Sequence, residues 1–270
     1  MILIILFLLV SYSAHACHWP NSLNAIEQKI MIDQQQNTEY INSIINDLEN
    51  TDPFYREHTL DFLVLKSTLH AKQEQLARTP STHPERLCSP DTTTQMYQMG
   101  GITEDDPHKP IIINNPGMGF NGASVSRTAV LFDAQYFKAH RHNESDLLSY
   151  ALGHEFSHCK KHQADINQLK KINSLKLYID KAKKTQIPAD KQAIFGGFQE
   201  SVDDALRALN YAYEYGADFE SARRLSLEGI DQAIAWLHQK NAAESDSHPS
   251  SAARIALLQK IKEARQRRLS

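Results

Sequence analysis

GHEFSHCKKH, residues 153–162, decides how this chain is interpreted, because it places three histidines at intervals of four residues. On a helix, His154 and His158 share one face about 5–6 Å apart, so that both imidazoles can converge on one ion. His162 lies roughly 12 Å from His154 along the axis at 1.5 Å per residue, too far to join them on a straight helix. The third ligand must therefore come from elsewhere in the chain.

The same helix carries a candidate general base. His154 to His158 reads H-E-x-x-H, in which Glu155 lies beside the ion and can take a proton from metal-bound water without being a ligand. The two histidines continue the apolar stripe begun by Leu147 and Ala151, which disfavours the alternative of a solvated, histidine-rich helix. Asn143 and the acidic residues after it predict the helix start.

Two neighbours of the motif invite a structural explanation. Gly153 in a helix interior costs about 1 kcal/mol relative to Ala, so we interpret it as clearance for a close backbone approach. Cys159 points about 100° away from His158, and we predict that it is buried or in a disulfide rather than a ligand.

A second helix, over residues 210–221, offers the missing ligand. Glu214 and Asp218 are four residues apart and share a face, which small residues flank. Two neutral histidines and one carboxylate form a catalytic zinc set that leaves a fourth position for water. Asp218 would then accept the second N–H of a ligand histidine. The alternative makes both acids ordinary surface residues.

The remainder of the chain predicts a mostly α-helical α+β protein with one small sheet. Apolar residues make up 41% and charged residues 23%, and the net charge of −3 indicates neither nucleic acid nor an anionic membrane as a partner. The predicted elements are helices over 21–50 and 53–78, a loop over 79–110, strands over 111–113 and 123–132, and helices from 143 onward with breaks near 187–188, 196–197 and 241–249.

The N-terminus has the pattern of an export signal. Residues 2–10 form an apolar run too short to span a bilayer, and Ala14-His15-Ala16 resembles a cleavage site, although no Lys or Arg precedes the run. A short hydrophobic anchor is the alternative. Cys17 would then begin the mature chain, and its lipidation is a less favoured expectation. With Cys88 and Cys159, an oxidising compartment allows one pair, Cys17–Cys88 or Cys88–Cys159.

H-E-x-x-H, followed after some fifty residues by E-x-x-x-D and then by a His-Pro segment, resembles the HtpX-like gluzincin metallopeptidases, which include the CAAX prenyl protease. The soluble periplasmic branch is the closer match. The resemblance covers about residues 110–258 and implies a zincin-like core. In that core His154, His158 and Glu214 bind one Zn²⁺, Glu155 is the general base, and Asp218 supports the ligands.

Two further stretches match this family more loosely. His248-Pro249 with Arg254 resembles its C-terminal segment. His248 would donate to the oxyanion or act as a fourth, self-inhibiting ligand, unless it is a surface histidine, and Arg254 would hold the segment through a carboxylate. Residues 124–130 resemble its active-site edge strand, to which an extended substrate adds through main-chain hydrogen bonds; the predicted contacts are Ser124, Val125, Ser126 and Arg127.

These observations predict a signal peptide over 1–16, a helical region and loop over 17–105, and a zinc metallopeptidase domain over 106–270. The expected function is a periplasmic endopeptidase that cleaves unfolded or misassembled envelope proteins, with association with the outer membrane as the less favoured expectation. A complex partner could bind the N-terminal helices. The alternatives are a chaperone-like module with a closed zinc site and a non-catalytic metal-binding protein.

Overall fold

The computed structural model describes residues 18–51, 88–103, 105–106, 109–120, 122–126, 129–161 and 189–269, together with Ile172, Leu175, Tyr178 and Lys184. The predictions for the signal peptide, Cys17, a helix over 53–78, Arg127 and His162 lie outside the described residues. The helices are α1 (Leu23–Thr51), α2 (Pro90–Met99), α3 (Ala134–His140), α4 (Ser145–Lys161), α5 (Ala189–Ala222), α6 (Leu227–Lys240) and α7 (Ser251–Leu269). The strands are β1 (Ile111–Asn114), β2 (Ala123–Ser126) and β3 (Ala129–Phe132). A mostly helical α+β fold with one small sheet is thus confirmed.

The sheet has the order β1-β3-β2, with β1 parallel and β2 antiparallel to the central strand β3. The prediction of one continuous strand over 123–132 is wrong, because Ala123 pairs with Leu131 and Ser124 with Val130. The sequence gives no sign of this reversal, since neither Gly nor Pro stands between the two strands. Consequently β2 is an edge strand, whereas Val130 lies in the centre of the sheet.

The predicted loop over 79–110 contains a helix, α2, which is a second correction. Ser89 caps it by accepting a hydrogen bond from the Thr92 N–H, and Pro90 occupies the first turn, where its missing N–H does no harm. Pro90 therefore marks the start of the helix α2 rather than a position in the predicted loop. The helix ends at Gly100, where a Cβ atom would lie 2.3 Å from the Phe156 ring, so only glycine allows this approach to α4.

The long helix α5 corrects a third prediction. It runs through Gly196 and Gly197, where a break was expected, so the glycine pair does not interrupt it. By contrast, the expected break over 241–249 is confirmed, since residues 241–250 separate α6 from α7.

The helix α1 is part of the core. Ile41, Ile44 and Ile45 pack in one cluster with Val202 and Leu209 of α5. Its N-terminal half joins a second cluster, formed with the C-terminal helices, through Ile26 and Ile30, and Trp19, which precedes the helix, belongs to the same cluster. Contact of the N-terminal helix with the rest of the fold is therefore direct, while binding of an outside partner there stays a prediction. None of the helices among the described residues is long and apolar enough to cross a membrane.

The helix α4 lies between two hydrophobic clusters. Tyr150 belongs to the cluster built by α5, α6 and α7, whereas Leu148, Leu152 and Phe156 belong to the cluster that covers the sheet. Cys159 is fully buried in the latter, as predicted, and among the described residues neither it nor Cys88 forms a disulfide. Packing on both sides fixes the helix that carries the histidines.

Asp133 fixes the loop that precedes β2. One carboxylate oxygen caps α3 by accepting bonds from the N–H groups of Gln135 and Tyr136, and the other accepts from Gly117 and Gly119. Burial raises the pKa of this carboxyl, but the four N–H donors outweigh burial and lower the pKa below its ordinary value of 3.8.

Replacing Asp133 by Asn should lower the free energy of unfolding by about 1–3 kcal/mol, because one carbonyl oxygen cannot accept all four bonds. The Asp133 carboxylate stabilises the fold fully above pH 3.8, and this contribution is lost as pH falls through the lowered folded pKa. Urea unfolding between about pH 7 and pH 3 should therefore show the two proteins converging in acid.

The exposed Asp105 provides the control, and Asp105→Asn should unfold like the wild type throughout. A difference between Asp133→Asn and wild type that stays constant down to the lowest pH would contradict the assignment.

Candidate metal centre

Three predicted ligands meet between α4 and α5. His154 and His158 come from α4 and Glu214 from α5, and their ligand atoms all lie within 4.8 Å of one another. The two Nε2 atoms are 3.1 Å apart, and the Glu214 carboxylate lies 3.2 Å from His158 Nε2 and 3.3 Å from His154 Nε2. Both rings and the carboxylate therefore face a single point.

Gly153 allows α4 and α5 to come this close. A Cβ atom at Gly153 would lie 2.8 Å from Ser221 Oγ and 3.4 Å from Ser221 Cβ. Ser221 itself is buried and donates a hydrogen bond to the Tyr150 carbonyl at 2.7 Å. The interpretation of Gly153 as clearance is thus confirmed, and its partner is one of the small residues beside Glu214.

The chemistry of this set fits a zinc ion. Glu214 is buried, and its Oε2 atom makes no hydrogen bond although His154 Nε2 lies 3.3 Å away. A buried carboxylate oxygen without a donor is destabilising, and a cation at the point shared by the three side chains would satisfy it. Two imidazole nitrogens and one carboxylate are the ligands of many catalytic zinc sites.

Asp218 orients His154. Its side chain is fully buried, and Oδ1 accepts hydrogen bonds from His154 Nδ1 at 2.9 Å, Tyr150 Oη at 2.6 Å and an Arg254 nitrogen at 2.6 Å. Oδ2 accepts a second Arg254 bond at 2.8 Å, so that the guanidinium and the carboxylate form a bidentate pair. With Nδ1–H committed to Asp218, the Nε2 lone pair of His154 points to the metal position.

The electrostatics of the cluster favour positive charge between the two helices. Burial works against ionisation of Glu214, but the imidazoles of His154 and His158 bring its pKa well below the ordinary value. Burial also raises the pKa of Asp218, but the Arg254 guanidinium and the His154 imidazole outweigh burial and bring this pKa well below its ordinary value. Burial lowers the pKa of His154, yet its hydrogen bond to Asp218 and the neighbouring Glu214 carboxylate raise it to about 10. Asp218 is already paired with Arg254, so the charge left to compensate is that of Glu214, and a metal ion on the His154 Nε2 side would supply the cation.

Glu155 lies beside the sheet edge. A Cβ atom at Gly122 would be 2.8 Å from Glu155 Cγ, so the chain that leads into β2 passes directly over this side chain. Ser124, Val125 and Ser126 follow within β2, at the edge of the sheet, where a further strand can pair. The structure brings the predicted base and the predicted substrate strand together.

His248 reaches the cluster from the segment between α6 and α7. Its Nε2 atom lies 3.6 Å from Glu214 Oε1, while 58% of its side chain is exposed. Tyr211 donates to the Ser245 carbonyl at 2.8 Å and Asn210 to the Asp246 carbonyl at 2.9 Å, so α5 holds this segment as well. The structure thus places His248 at the edge of the cluster, and its role there stays a prediction.

Sequence reasoning missed Tyr150. Its hydroxyl donates to Asp218 Oδ1, and burial together with the Asp218 charge raises its pKa well above 10, so the proton is retained. Tyr150 lies four residues before His154, as His158 lies four after it. Extending the helix face of His154 and His158 by one turn towards the N-terminus would have identified Tyr150 as a residue of the site.

Comparison with known proteins gives one match. The sequence model of peptidase family M48 matches residues 118–262, just over half of the 270-residue chain. The match contains the three ligand candidates, Glu155, Asp218 and Arg254. No curated protein and no solved structure matches the chain.

Tyr150→Phe should weaken zinc binding by about 10-fold, because Asp218 loses one of the donors that orient it towards His154. Competition with a chromophoric chelator measures the affinity.

The matched control is Tyr97→Phe. The Tyr97 hydroxyl is also bonded in the interior, to the Pro110 carbonyl, and its ring packs on Phe156 of the same helix. This control should keep wild-type zinc affinity. An equal loss in both variants, or none in Tyr150→Phe, would contradict the role given to Tyr150.

Proposed function

The chain belongs to peptidase family M48, and from this premise we propose that it is a zinc-dependent endopeptidase of the cell envelope that hydrolyses unfolded or misassembled proteins. Membership makes it a metallopeptidase, whose substrates are proteins or peptides, and confirms the resemblance to HtpX-like enzymes at the level of the family. The observation that carries the finer proposal is the convergence of His154, His158 and Glu214 beside Glu155.

In this proposal His154, His158 and Glu214 hold the metal, while the other residues orient groups and move protons. Zinc, when bound, supplies a Lewis acid that polarises the scissile carbonyl and acidifies water. Glu155 accepts the proton of the attacking water and passes it to the leaving amine. Asp218 keeps the proton on His154 Nδ1, with Arg254 and Tyr150 holding the carboxylate in place.

The sheet edge supports an extended substrate. A peptide that pairs with β2 would lie along the strand that directly follows Gly122, and Gly122 lies against Glu155. Such pairing uses main-chain hydrogen bonds and needs a segment without structure of its own. Unfolded proteins provide segments of this kind, and the signal-like pattern of residues 1–16 supports action on envelope proteins.

Glu155→Gln is expected to retain zinc and to lose at least about 100-fold in the rate of casein cleavage, because the amide cannot accept the proton. Casein digestion with and without a chelator, run beside this variant and with zinc content measured, is the experiment that tests the proposal.

Undiminished cleavage by zinc-loaded Glu155→Gln would remove Glu155 as the base. If the wild type suppresses aggregation of an unfolded protein but cleaves nothing, the protein is a chaperone-like module.

The position of His248 favours a closed form of the same site. Its imidazole lies 3.6 Å from the carboxylate of the ligand Glu214, on a segment that is otherwise exposed. In that form His248 joins the other three side chains as a fourth ligand and leaves no position for the substrate.

His248→Ala should accordingly raise the initial rate of casein cleavage several-fold. The substitution frees the fourth coordination position for the substrate and leaves the side chains of His154, His158 and Glu214 unchanged. The rate per bound zinc is the quantity to compare, with His238→Ala, an exposed histidine of α6, as the control. A fall in that rate at unchanged zinc content would instead assign His248 as the oxyanion donor.

A further inference from the structure

The loop before the edge strand joins the proposed general base to a group of aromatic side chains. Gly122 lies against Glu155, since a Cβ atom there would be 2.8 Å from Glu155 Cγ and 3.1 Å from the Phe132 ring. Phe120 is two residues upstream of Gly122, which places their Cα atoms at most about 7 Å apart. A peptide that pairs with β2 and continues past Ala123 would approach this point.

Phe120 contacts two further aromatic rings. Its centroid lies 4.9 Å from that of Trp236 on α6 and 6.3 Å from that of Tyr136 on α3. All three side chains are partly exposed, and the exposed Lys240 places its ammonium 5.4 Å from the Trp236 centroid. The aromatic cluster therefore lies at the surface of the molecule, in contrast to the fully buried rings of Phe132 and Phe156.

The cluster is held in place before any substrate arrives. Asp133 accepts hydrogen bonds from Gly117 at 2.8 Å and Gly119 at 3.3 Å, both of which have the positive φ angles that glycine tolerates. The Tyr136 hydroxyl donates to Glu144 at 3.0 Å and so orients the second ring. A site fixed in this way binds its ligand without the entropy loss of ordering a loop.

We propose that Phe120, Tyr136 and Trp236 form a subsite for a bulky apolar side chain of the substrate, aromatic by preference, within about three residues of the bond that is cleaved. The Phe120 Cα atom lies at most about 11 Å from Glu155 Cγ. An extended peptide rises about 3.4 Å per residue, so up to about three residues span that distance. Aromatic rings with centroids 4.5–7 Å apart attract one another edge to face, and a fourth ring continues this arrangement. The inference rests on the proposed peptidase function.

Mapping the cleavage sites in a degenerate peptide library by mass spectrometry tests the subsite. Sites cut by the zinc-loaded wild type should be enriched in Phe, Tyr, Trp or Leu within about three residues of the cut. Burial of such a side chain instead of Ala should raise kcat/KM by about 10- to 100-fold. Phe120→Ala and Trp236→Ala should lose this enrichment, so that in each variant the ratio of kcat/KM for a Phe-containing peptide to that for its Ala counterpart falls towards unity. Phe120→Leu, which preserves packing, should lose the preference for aromatic over aliphatic side chains.

Tyr40→Ala is the matched control, because Tyr40 is an exposed aromatic residue of α1 outside the cluster, and its cleavage profile should equal that of the wild type. Two outcomes would contradict the subsite: cleavage by the wild type without enrichment, or a wild-type cleavage profile in both Phe120 variants. In either case the three rings serve packing alone, while the proposed peptidase activity is retained.

Fluorescence provides a second measurement that does not need cleavage. The chain has two tryptophans, so Trp19→Phe leaves Trp236 as the only indole. The protein for this measurement is the zinc-loaded double variant Trp19→Phe, Glu155→Gln. Its Trp236 emission should change on titration with a Phe-containing peptide. The Ala counterpart of that peptide should bind at least about 10-fold more weakly.

An emission change without cleavage by any wild-type preparation would overturn the proposed peptidase and keep the subsite. Neither emission change nor cleavage would overturn both.

Discussion

The buried Asp218 carboxylate is the constraint on which the site depends. A charge with no exposure to water is tolerated only when it is paired and fully hydrogen-bonded, and here the donors come from α4 and α7 while the acceptor belongs to α5. Satisfying one carboxylate therefore fixes the relative positions of three helices. His154 occupies one of the donor places, so the same requirement that folds this region also orients a metal ligand.

A steric condition accompanies the electrostatic one. The ligands can converge only if α4 and α5 approach to the distance set by Gly153 against Ser221. Ser221 lies seven residues after Glu214, on the face that also carries Asp218, and Gly153 immediately precedes His154. On each helix, a ligand and a residue of the Gly153–Ser221 contact are therefore close in sequence, so the contact that brings the helices together also positions the ligands. Helix propensity alone would favour alanine at 153, and the site explains why glycine is present.

Sequence reasoning succeeded where helical spacing determines the geometry. His154 with His158, and Glu214 with Asp218, share a face because they are four residues apart, and pairing the two helices followed from the coordination needs of zinc. It failed where the local sequence signal is absent or ambiguous. The hairpin of β2 and β3 carries no Gly or Pro signal, and α2 begins at a proline that equally suits a loop. Tyr150 was accessible to the spacing argument, yet only the fold shows that Asp218 has room for a third donor.

The site combines parts of very different stability. The ligands and Asp218 lie between packed helices, and their contacts open only when the core opens. The 245–248 segment is held by exposed bonds from α5, such as that of Arg207 to Asp246, which are worth roughly 0–1 kcal/mol each. His248 can therefore leave Glu214 at a small cost in free energy, without disturbing the bonds that orient His154. In the proposed closed form, opening the site to a substrate would therefore move His248 and leave His154, His158 and Glu214 in place.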